Sequence, residues 1–529
     1  MRGESLSPTW INEFKLKKGR PLRVLHVGNI ANNAYNNAKV QRQRGIDADV
    51  ICHDYYHIMG CPEWEDADFS GEFGDPFRPQ WYQCDLNRFE RPDWFAQGAF
   101  VNCANYLLSK GDGDTVQAAR LWRVLSVENG LIDPSAGAVG HMGGAELNRA
   151  LAVRGMMALA RKILPRPVKR ILHQLLIRVT LRAAPSLDRA YDLVLRFRAE
   201  FPARLAEKGA GLSIADIAPW MGNIREWQKL FSQYDVIQAY ATYPILPILA
   251  GYKNFAAYEH GTIREIPFEN NAQGRLCAIS YKLSPVVFIT NSDNLIAAGR
   301  LGLQQDQVIC LPHAFDNEKL FRFARENAGS FVPPVDHVVF FSPSRQHWKD
   351  RDPSMAKGND AIFYAAKELL AEGYNFRLEL VEWGRDVECS KELIRQLGID
   401  KAVVWVKPMK KRQLWAKYLS VHAVIDQFLL PALGGVGFET MALGRRLLTA
   451  MDMELAVRFF GASPPLFDVR DVASTIVAMR RVLEDPQDQQ RIGDDAREWI
   501  NSYHSADRVC RIQVDAYRRI LETVEVASA

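Results

Sequence analysis

Short apolar runs alternate with longer amphipathic stretches along both halves of the chain. The run 22–30 ends in Gly28-Asn29, a helix-like stretch reaches Gly45, and a second apolar run follows at 47–55. A strand, a helix and a second strand in this order form a βαβ unit with parallel strands and a right-handed crossover. The first half is therefore predicted to hold a parallel sheet, with further strands at 235–240, 254–261, 285–292 and 307–316.

A second βαβ series begins with the apolar run 337–345. Apolar residues recur at i, i+3, i+4, i+7 and i+8 within the stretch 361–373, which is the spacing of one helix face. Further strands are predicted at 376–384, 402–406, 422–426 and 446–450, and the loop Gly434–Gly437 opens another helix. The pattern predicts an α/β protein of two Rossmann-like, doubly wound domains facing a cleft.

Residues from about 85 to 225 break this pattern. They contain no convincing strand, and the segment 146–208 reads as long helices interrupted by prolines. We interpret this region as a helical insertion in the N-terminal domain. The expected domains are residues 1–320, with the insertion, and residues 321–500. A C-terminal helix at 501–529 is expected to pack back across the domains.

Length and composition limit the class of protein. The chain has 529 residues, 48% of them hydrophobic and 24% charged, which excludes wholesale disorder. Single cores stop growing at roughly 250–300 residues, so two or more domains are expected. No signal-peptide core or membrane-spanning stretch is apparent, and the eight cysteines form no C-x-x-C pair. We therefore expect a cytoplasmic protein.

The net charge of +4 is distributed unevenly. Residues 154–182 carry eight Lys or Arg and no Asp or Glu, together with many apolar residues, so the rest of the chain sums to −4. A basic amphipathic helix of this kind can lie on an anionic membrane surface, peripheral to its inner face. The alternative is a helical subdomain with a solvated basic face. Nucleic acid is a weaker interpretation because no aromatic residues alternate with the charges.

Candidate anion-binding groups follow the strands of the second half. In open α/β sheets, ligands bind beyond the carboxyl ends of the strands, which is where Arg345, Lys349 and Lys357 fall. The loop Gly434–Gly437 meets a helix N-terminus, which offers free N–H groups to an anion. Glu439 lies in the first turn of that helix, where it either stabilises the helix start or accepts two ribose hydroxyls.

Several segments resemble the retaining glycosyltransferases of family 4, which have the GT-B fold. The segment 426–449 resembles that family's donor site, and SPSR with KGND at 357–360 resembles its Arg/Lys diphosphate clamp. VEWGRD at 381–386 resembles a glycine segment near the nucleotide. In the first half, HVGN at 26–29 and YEHGTIRE at 258–265 resemble the glycine loop and the His-Gly segment of the acceptor domain.

The resemblance implies a role for each matching position. Arg345 and Lys357 would bind the diphosphate, and His260 would stabilise charge near the anomeric carbon. Glu439, the second Glu of the family's E-x7-E pattern, would hold the ribose. The remaining implied donor-binding residues are Gly28, Trp383, Gly384, Asp426, Gly434, Gly435 and Gly437. No cofactor is expected beyond the nucleotide-diphosphate sugar that serves as co-substrate.

One position departs from the family pattern. The first Glu of E-x7-E should stand at position 431, where this chain has Pro431 inside the apolar loop LLPALGG. Either Asp426 takes part of its role, or backbone N–H groups hold the sugar, or activity is reduced or lost. Asp426 also has an interpretation as a strand-end residue that caps the next loop.

We therefore predict a metal-independent, retaining hexosyltransferase or related glycosyltransferase. Its partners would be a nucleotide sugar and a polysaccharide or lipid-linked glycan acceptor, with no nucleic acid. Four D-x-D pairs are interpreted as loop or strand-entry residues rather than metal ligands, so no metal site is predicted: Asp47/Asp49, Asp66/Asp68, Asp112/Asp114 and Asp350/Asp352. The alternatives are a non-catalytic GT-B scaffold of a polysaccharide assembly system, which Pro431 leaves open, and a nucleotide-sugar epimerase, against which the KGND segment and the segment 426–444 argue.

Overall fold

Two parallel β-sheets organise the chain. The computed structural model describes residues 6–53, 55–135, 187–206, 211–351, 356–485 and 488–528. One compact unit comprises Met1–Phe288, Ala297–Ile309 and Arg511–Ala529, and the other comprises Ile289–Ile296 and Cys310–Cys510. The predicted boundary at residue 320 thus lies inside the second unit, and the predicted cleft stays a prediction. The basic segment 154–182 lies outside the described residues.

The first sheet has seven strands in the order β3-β2-β1-β4-β5-β6-β7. β1 pairs in parallel with both β2 and β4. Strands β2 and β3 are therefore added on one side of β1, and the strands from β4 onward are added on its other side. This is the strand order of a doubly wound Rossmann domain, extended by one strand. The strands are β1 Arg23–Val27, β2 Asp47–Cys52, β3 Phe95–Gln97, β4 Val236–Tyr240, β5 Phe255–Tyr258, β6 Val286–Ile289 and β7 Val308–Cys310.

Helices connect and cover these strands. Strands β4, β5 and β6 are buried at every position, as expected for a parallel sheet covered on both faces. The helices are α1 Leu6–Lys18, α2 Asn33–Arg42, α3 Pro62–Asp66, α4 Phe100–Gly111, α5 Thr115–Glu128, α6 Leu187–Glu200, α7 Ile214–Ile217, α8 Ile224–Phe231, α9 Ile245–Ala250, α10 Ala272–Lys282 and α11 Asn294–Arg300.

The expectation that residues 85–225 contain no strand is wrong. Strand β3 pairs in parallel with β2 and extends the first sheet, with Val50 opposite Phe95 and Cys52 opposite Gln97. A three-residue strand is too short to show a periodic pattern, so its pairing with β2 was decided by tertiary structure. Elsewhere in the described part of this region the regular elements are helices, as predicted, namely α4 to α7 and the start of α8 with short 3-10 turns, and loops join them.

The second sheet has six strands in the order β10-β9-β8-β11-β12-β13. This is again the Rossmann order, because β9 and β10 lie on one side of β8, and β11 to β13 lie on its other side. The switch point is therefore between β8 and β11. Its strands are β8 Val338–Ser342, β9 Phe376–Val381, β10 Val403–Val406, β11 Ala423–Ile425, β12 Arg446–Thr449 and β13 Phe467–Asp468. The two sheets confirm the predicted α/β class with two doubly wound domains.

The helices of the second unit include two that fall where the sequence pattern predicts them. The helix Gly435–Ala442 begins inside the predicted glycine loop, so Gly435 and Gly437 belong to its first turn. The helix Asp360–Ala371 buries Ile362, Ala365 and Leu369 at its predicted core positions. The helices are α12 Asn317–Glu326, α13 Asp360–Ala371, α14 Val387–Leu397, α15 Lys411–Leu419, α16 Gly435–Ala442, α17 Met453–Phe460, α18 Val472–Glu484, α19 Gln489–Tyr503 and α20 Ala506–Ser528.

A buried polar network attaches α20 to the first sheet. Gln41 Nε2 donates to Gln513 Oε1 and to the Tyr517 hydroxyl, both at 3.0 Å. Gln513 Nε2 in turn donates to Asn37 Oδ1 at 2.7 Å, and the Tyr517 hydroxyl donates to Gln238 Oε1. Buried polar groups are costly unless they are hydrogen-bonded, so this set specifies one register for the helix.

His26 of β1 completes the network. Its Nδ1 lies 2.8 Å from the Tyr240 hydroxyl and its Nε2 lies 3.0 Å from Gln41 Oε1. Burial lowers the pKa of His26 to about 4, from an ordinary 6.5, because the charged imidazolium is poorly solvated there. The folded first unit therefore holds a neutral His26 down to mildly acidic pH.

Acid is expected to destabilise the first unit between pH 6.5 and pH 4. In that window the unfolded chain binds a proton at position 26 that the folded chain does not, so stability falls as pH falls. His26→Gln is expected to reduce this slope by up to about 1.4 kcal/mol per pH unit. Denaturant unfolding at several pH values measures how the free energy of unfolding depends on pH. Tyr240→Phe is the control, because it removes a hydrogen bond to His26 but keeps the imidazole. Equal slopes for His26→Gln and the unmodified chain would contradict the prediction.

Among the residues that the structure describes, no helix combines the length and apolar character needed to cross a membrane.

Candidate functional site

The carboxyl ends of β8 and β11 meet at the switch point of the second sheet. Arg345 follows β8, and Asp426 and Gln427 follow β11. The Ser344 hydroxyl donates to Asp426 Oδ1 at 2.6 Å, so one buried hydrogen bond joins the two strand ends. This bond supports the interpretation of Asp426 as a strand-end residue. Its implied donor-binding role stays a prediction.

Arg345 is half-buried at this edge. Desolvation lowers its pKa from the ordinary 12.5, because burial disfavours the charged guanidinium. An anion placed beside the guanidinium would offset that cost, and a forked guanidinium suits phosphate oxygens. The side chain therefore has the position and the chemistry of an anion-binding group.

Lys357 lies on the loop that leads into α13. Its backbone N–H donates to the His347 carbonyl at 2.6 Å, and its carbonyl accepts from Phe428 N–H at 2.9 Å. Its Nζ donates to Gln427 Oε1. The loop is thereby tied both to the segment after β8 and to the segment after β11. The structure brings Lys357 to the same sheet edge as Arg345, although the two are twelve positions apart in the chain.

Trp383 and Gly384 follow β9, the strand next to β8. The Trp383 indole donates to the Pro343 carbonyl at 2.8 Å, while 41% of the side chain stays exposed. Gly384 has φ +111°, and a Cβ there would lie 2.6 Å from Gln346 N and O, so only glycine lets the two loops approach this closely. The predicted donor-binding pair thus borders Arg345 through Gln346, whose N–H donates to the Trp383 carbonyl at 2.8 Å.

Helix α16 points its N-terminus at the same edge. A Cβ at Gly434 would meet no atom within 4 Å, and at Gly435 only Phe438 Cζ at 3.9 Å, so open space faces the first turn. The first N–H groups of a helix have no intrahelical acceptor and carry partial positive charge. At Gly437 a Cβ would lie 2.4 Å from Leu433 Cδ1, which gives this glycine a packing role.

Glu439 is the fifth residue of α16, so the expectation that it lies in the first turn is wrong, and its carboxylate is already paired. Its Oε1 accepts from Lys411 Nζ at the start of α15, and the residue is only 5% exposed. The ion pair is a contact that sequence reasoning missed, since the partners are 28 positions apart in the chain. A nucleotide ribose that used this carboxylate would share it with Lys411. The implied ribose-binding role stays a prediction.

The loop after β11 presents apolar side chains where the family pattern has a glutamate. Leu429, Leu430 and Pro431 are half-buried, whereas Ala432 and Leu433 are buried. Gln427 holds the loop, because its Nε2 donates to the carbonyls of Leu430 and Ala432 at 3.2 and 3.1 Å. The loop therefore contains no carboxylate that could replace the missing glutamate, apart from Asp426 at its start.

His260 lies in the first unit, after β5. Asn33 Nδ2 donates to its Nδ1 at 3.1 Å, and Asn33 Oδ1 accepts from the Tyr258 hydroxyl at 3.3 Å. Burial, and then the nearby Arg264 guanidinium, lower the pKa of His260 to about 4, so the ring is neutral at pH 7. A neutral imidazole oriented by Asn33 can act as a hydrogen-bonding group. Its catalytic role stays a prediction.

Gly28 directly follows β1 at the switch point of the first sheet. Its φ is +93°, and a Cβ there would lie 2.6 Å from the Tyr243 ring. The close approach is thus to a side chain of the protein itself. A donor or acceptor contact at Gly28 stays a prediction.

Gly28→Ala is expected to destabilise the first unit by about 2 kcal/mol or more, because it combines a strained backbone with a clash. Thermal or denaturant unfolding measures the change. Gly222→Ala is the matched control, since a Cβ there would meet nothing within 4 Å. Equal stability of the two variants would show that Gly28 is replaceable.

Within the described ranges, no group of three or more His, Cys, Asp or Glu side chains is arranged to hold a metal ion.

Three residues that contact the candidate site residues of the second sheet were not singled out by sequence reasoning, and they are Lys411, Gln427 and Ser344. The basic run 410–412 and the polar Asp426-Gln427 pair after a strand were the available signals for two of them.

No known family profile matches the chain, and no curated protein matches it. Solved structures that resemble it include sucrose-phosphate synthase from Thermosynechococcus elongatus (15% identity, TM-score 0.40, covering 57% of this chain and 78% of that one). HepE of Anabaena in complex with UDP has 12% identity and a TM-score of 0.42, covering 59% and 84%. UDP-GlcNAc 2-epimerase from Neisseria meningitidis bound to UDP-GlcNAc has 10% identity and a TM-score of 0.44, covering 94% and 100%. Such low similarity carries no argument about function.

Proposed function

We propose that this protein is a glycosyltransferase that moves a sugar, with retention and without a metal, from a nucleotide-diphosphate donor to a polysaccharide or lipid-linked glycan. The observation that carries the proposal is the carboxyl edge of the second sheet. Arg345, Lys357 and the glycine-rich N-terminus of α16 lie there around one switch point, which is where doubly wound domains bind nucleotides.

These groups suit the chemistry of a departing diphosphate. When the bond between the anomeric carbon and the diphosphate oxygen breaks, the sugar gains oxocarbenium character and the diphosphate gains negative charge. Arg345, Lys357 and the helix N–H groups would stabilise that charge where it develops, without reorganising during the step. The departing phosphate would accept the acceptor hydroxyl's proton as the new glycosidic bond forms on the same face of the ring.

The first-unit residues would act on the sugar and the acceptor. His260 is neutral at pH 7 and oriented by Asn33, so it would donate or accept a hydrogen bond near the anomeric carbon. Pro431 removes the carboxylate that the family pattern would place near the sugar hydroxyls. We propose that backbone N–H groups in the first turn of α16, together with Asp426, form the hydrogen bonds to the sugar hydroxyls instead.

A thermal-shift panel of nucleotide sugars tests the proposal. The panel uses UDP-, GDP-, ADP- and dTDP-linked sugars, all of them nucleotide-diphosphate donors, with and without EDTA. One nucleotide class is expected to raise Tm, because a ligand that binds only the folded state stabilises it. EDTA should leave the shift unchanged. If no nucleotide sugar raises Tm, the proposal fails and the scaffold alternative is favoured.

Product analysis then separates the enzyme classes. With the stabilising donor and a glycan extract as acceptor source, release of free nucleoside diphosphate together with an α-linked product from an α-linked donor supports retaining transfer. An isomerised nucleotide sugar with no released diphosphate would identify an epimerase instead.

A further inference from the structure

A cavity of about 750 Å³ lies in the first unit at the amino ends of β5 and β6. Phe255 and Val286, the first residues of those strands, line it, so it opens at the edge of the sheet opposite to Tyr258 and His260. Its volume falls in the range of small-molecule sites, about 300–1,000 Å³. The cavity is therefore separate from the carboxyl-edge residues of either sheet.

The floor of this cavity is apolar. Leu193 of α6, Phe255, Val286 and Ile520 of α20 are all buried side chains that line it. Ile248, Leu283, Pro285 and Val524 add further apolar lining. Such a surface suits a hydrocarbon group, because moving apolar surface out of water and onto other apolar groups is favourable.

The rim is charged, with an excess of cations. Four basic and two acidic side chains line it, a net charge of 4 − 2 = +2, and they are Arg189, Arg196, Lys253, Arg519, Asp192 and Asp306.

Two of the four cations are already engaged. Arg189 Nη1 donates to the carbonyls of Leu249 and Ala250 at 3.2 and 3.0 Å, at the end of α9. Arg196 pairs with Asp192 at 2.8 Å. Within the described part of the chain, the exposed side chains of Lys253 and Arg519 form neither an ion pair nor a hydrogen bond. They are available for an anion at the mouth of the cavity.

We propose that this cavity binds an anionic amphiphile, with the hydrocarbon chain on the apolar floor and the anionic head between Lys253 and Arg519. The charge complementarity of the rim selects an anion over a cationic or neutral amphiphile. The apolar floor selects a ligand with a hydrocarbon chain over a free inorganic anion. The proposal does not depend on nucleotide-sugar transfer, because the cavity lies at the opposite edge of its sheet from His260.

Isothermal titration of the full-length protein with dodecyl phosphate, below its micelle concentration, tests the proposal. One molecule is expected to bind per chain and to raise Tm. Dodecyltrimethylammonium and inorganic phosphate are expected to bind at least tenfold more weakly. Comparable binding of the cationic amphiphile, or of phosphate alone, would overturn the assignment.

Two variants locate the binding. Lys253→Glu with Arg519→Glu reverses both rim charges, and Thr523→Trp fills the cavity from an exposed lining position without changing charge. Each is expected to weaken dodecyl phosphate binding at least tenfold, whereas Lys367→Glu with Arg322→Glu, at exposed positions of the second unit, should leave it unchanged. Unfolding curves confirm that each variant folds. Unchanged affinity in folded Thr523→Trp would place binding elsewhere and refute the proposal.

Discussion

Replacing Arg345 by alanine is expected to lower the rate of sugar transfer by roughly 10²–10³-fold, with little change in stability. Loss of one preorganised donor to developing negative charge costs about that much. The side chain is half-buried and burial already lowers its pKa, so removing it also removes a desolvation cost from the folded state. The turnover of the identified donor, measured beside unfolding curves, separates the two effects.

Several variants sharpen this prediction. Arg345→Lys keeps the charge but loses the planar fork, so it should recover only part of the rate. Lys357→Met is expected to show a loss similar to that of Arg345→Ala, because both cations would face the same diphosphate. Arg377→Ala, at an exposed position of β9, is the matched control and should retain full turnover. Full turnover in folded Arg345→Ala would remove this residue from the proposed clamp.

Replacing Arg91 by methionine is expected to destabilise the first unit by about 3–5 kcal/mol, because it leaves a buried carboxylate without its partner. Arg91 Nε donates to Glu63 Oε1 at 2.8 Å and Nη2 to Oε2 at 2.7 Å, with side chains only 2% and 0% exposed. Its Nη1 also donates to Gln97 Oε1 at 2.7 Å, and Gln97 lies in β3. The pair therefore holds the segment after β2 against the edge of the first sheet.

A double-mutant cycle tests this assignment. Arg91→Met with Glu63→Leu removes both charges and is expected to lose far less stability than either single change, because no unpaired charge remains. Denaturant unfolding, followed by a probe in the first unit, measures the coupling between the two positions. Additive losses in the cycle would show that the two side chains do not stabilise each other.

Much of the fold could be predicted because its signals are local. A buried parallel strand is a short apolar run, and a covering helix shows its own spacing, so β1, β2, β8 and α13 were visible in the sequence. Strand β3 was not visible, because three residues carry no period and its place depends on pairing with β2.

The same division applies to the candidate site. Arg345, Trp383 and Asp426 could be placed at one sheet edge from sequence, since each lies at the carboxyl end of a predicted parallel strand. The side chains that contact each of these residues could not be predicted from the sequence. The Lys411–Glu439 ion pair and the Ser344–Asp426 hydrogen bond join residues that are 28 and 82 positions apart.

The sequence by itself determined the two βαβ series, helix α13 and the cations after β8, because these depend on neighbours along the chain. Only the tertiary structure decided that Gly28 faces Tyr243, that Arg91 and Glu63 are buried together, and that two strand starts and the last helix enclose a cavity with a basic rim. Such contacts depend on strand order and packing. Side chains distant in sequence acquire their environment only when the sheet assembles.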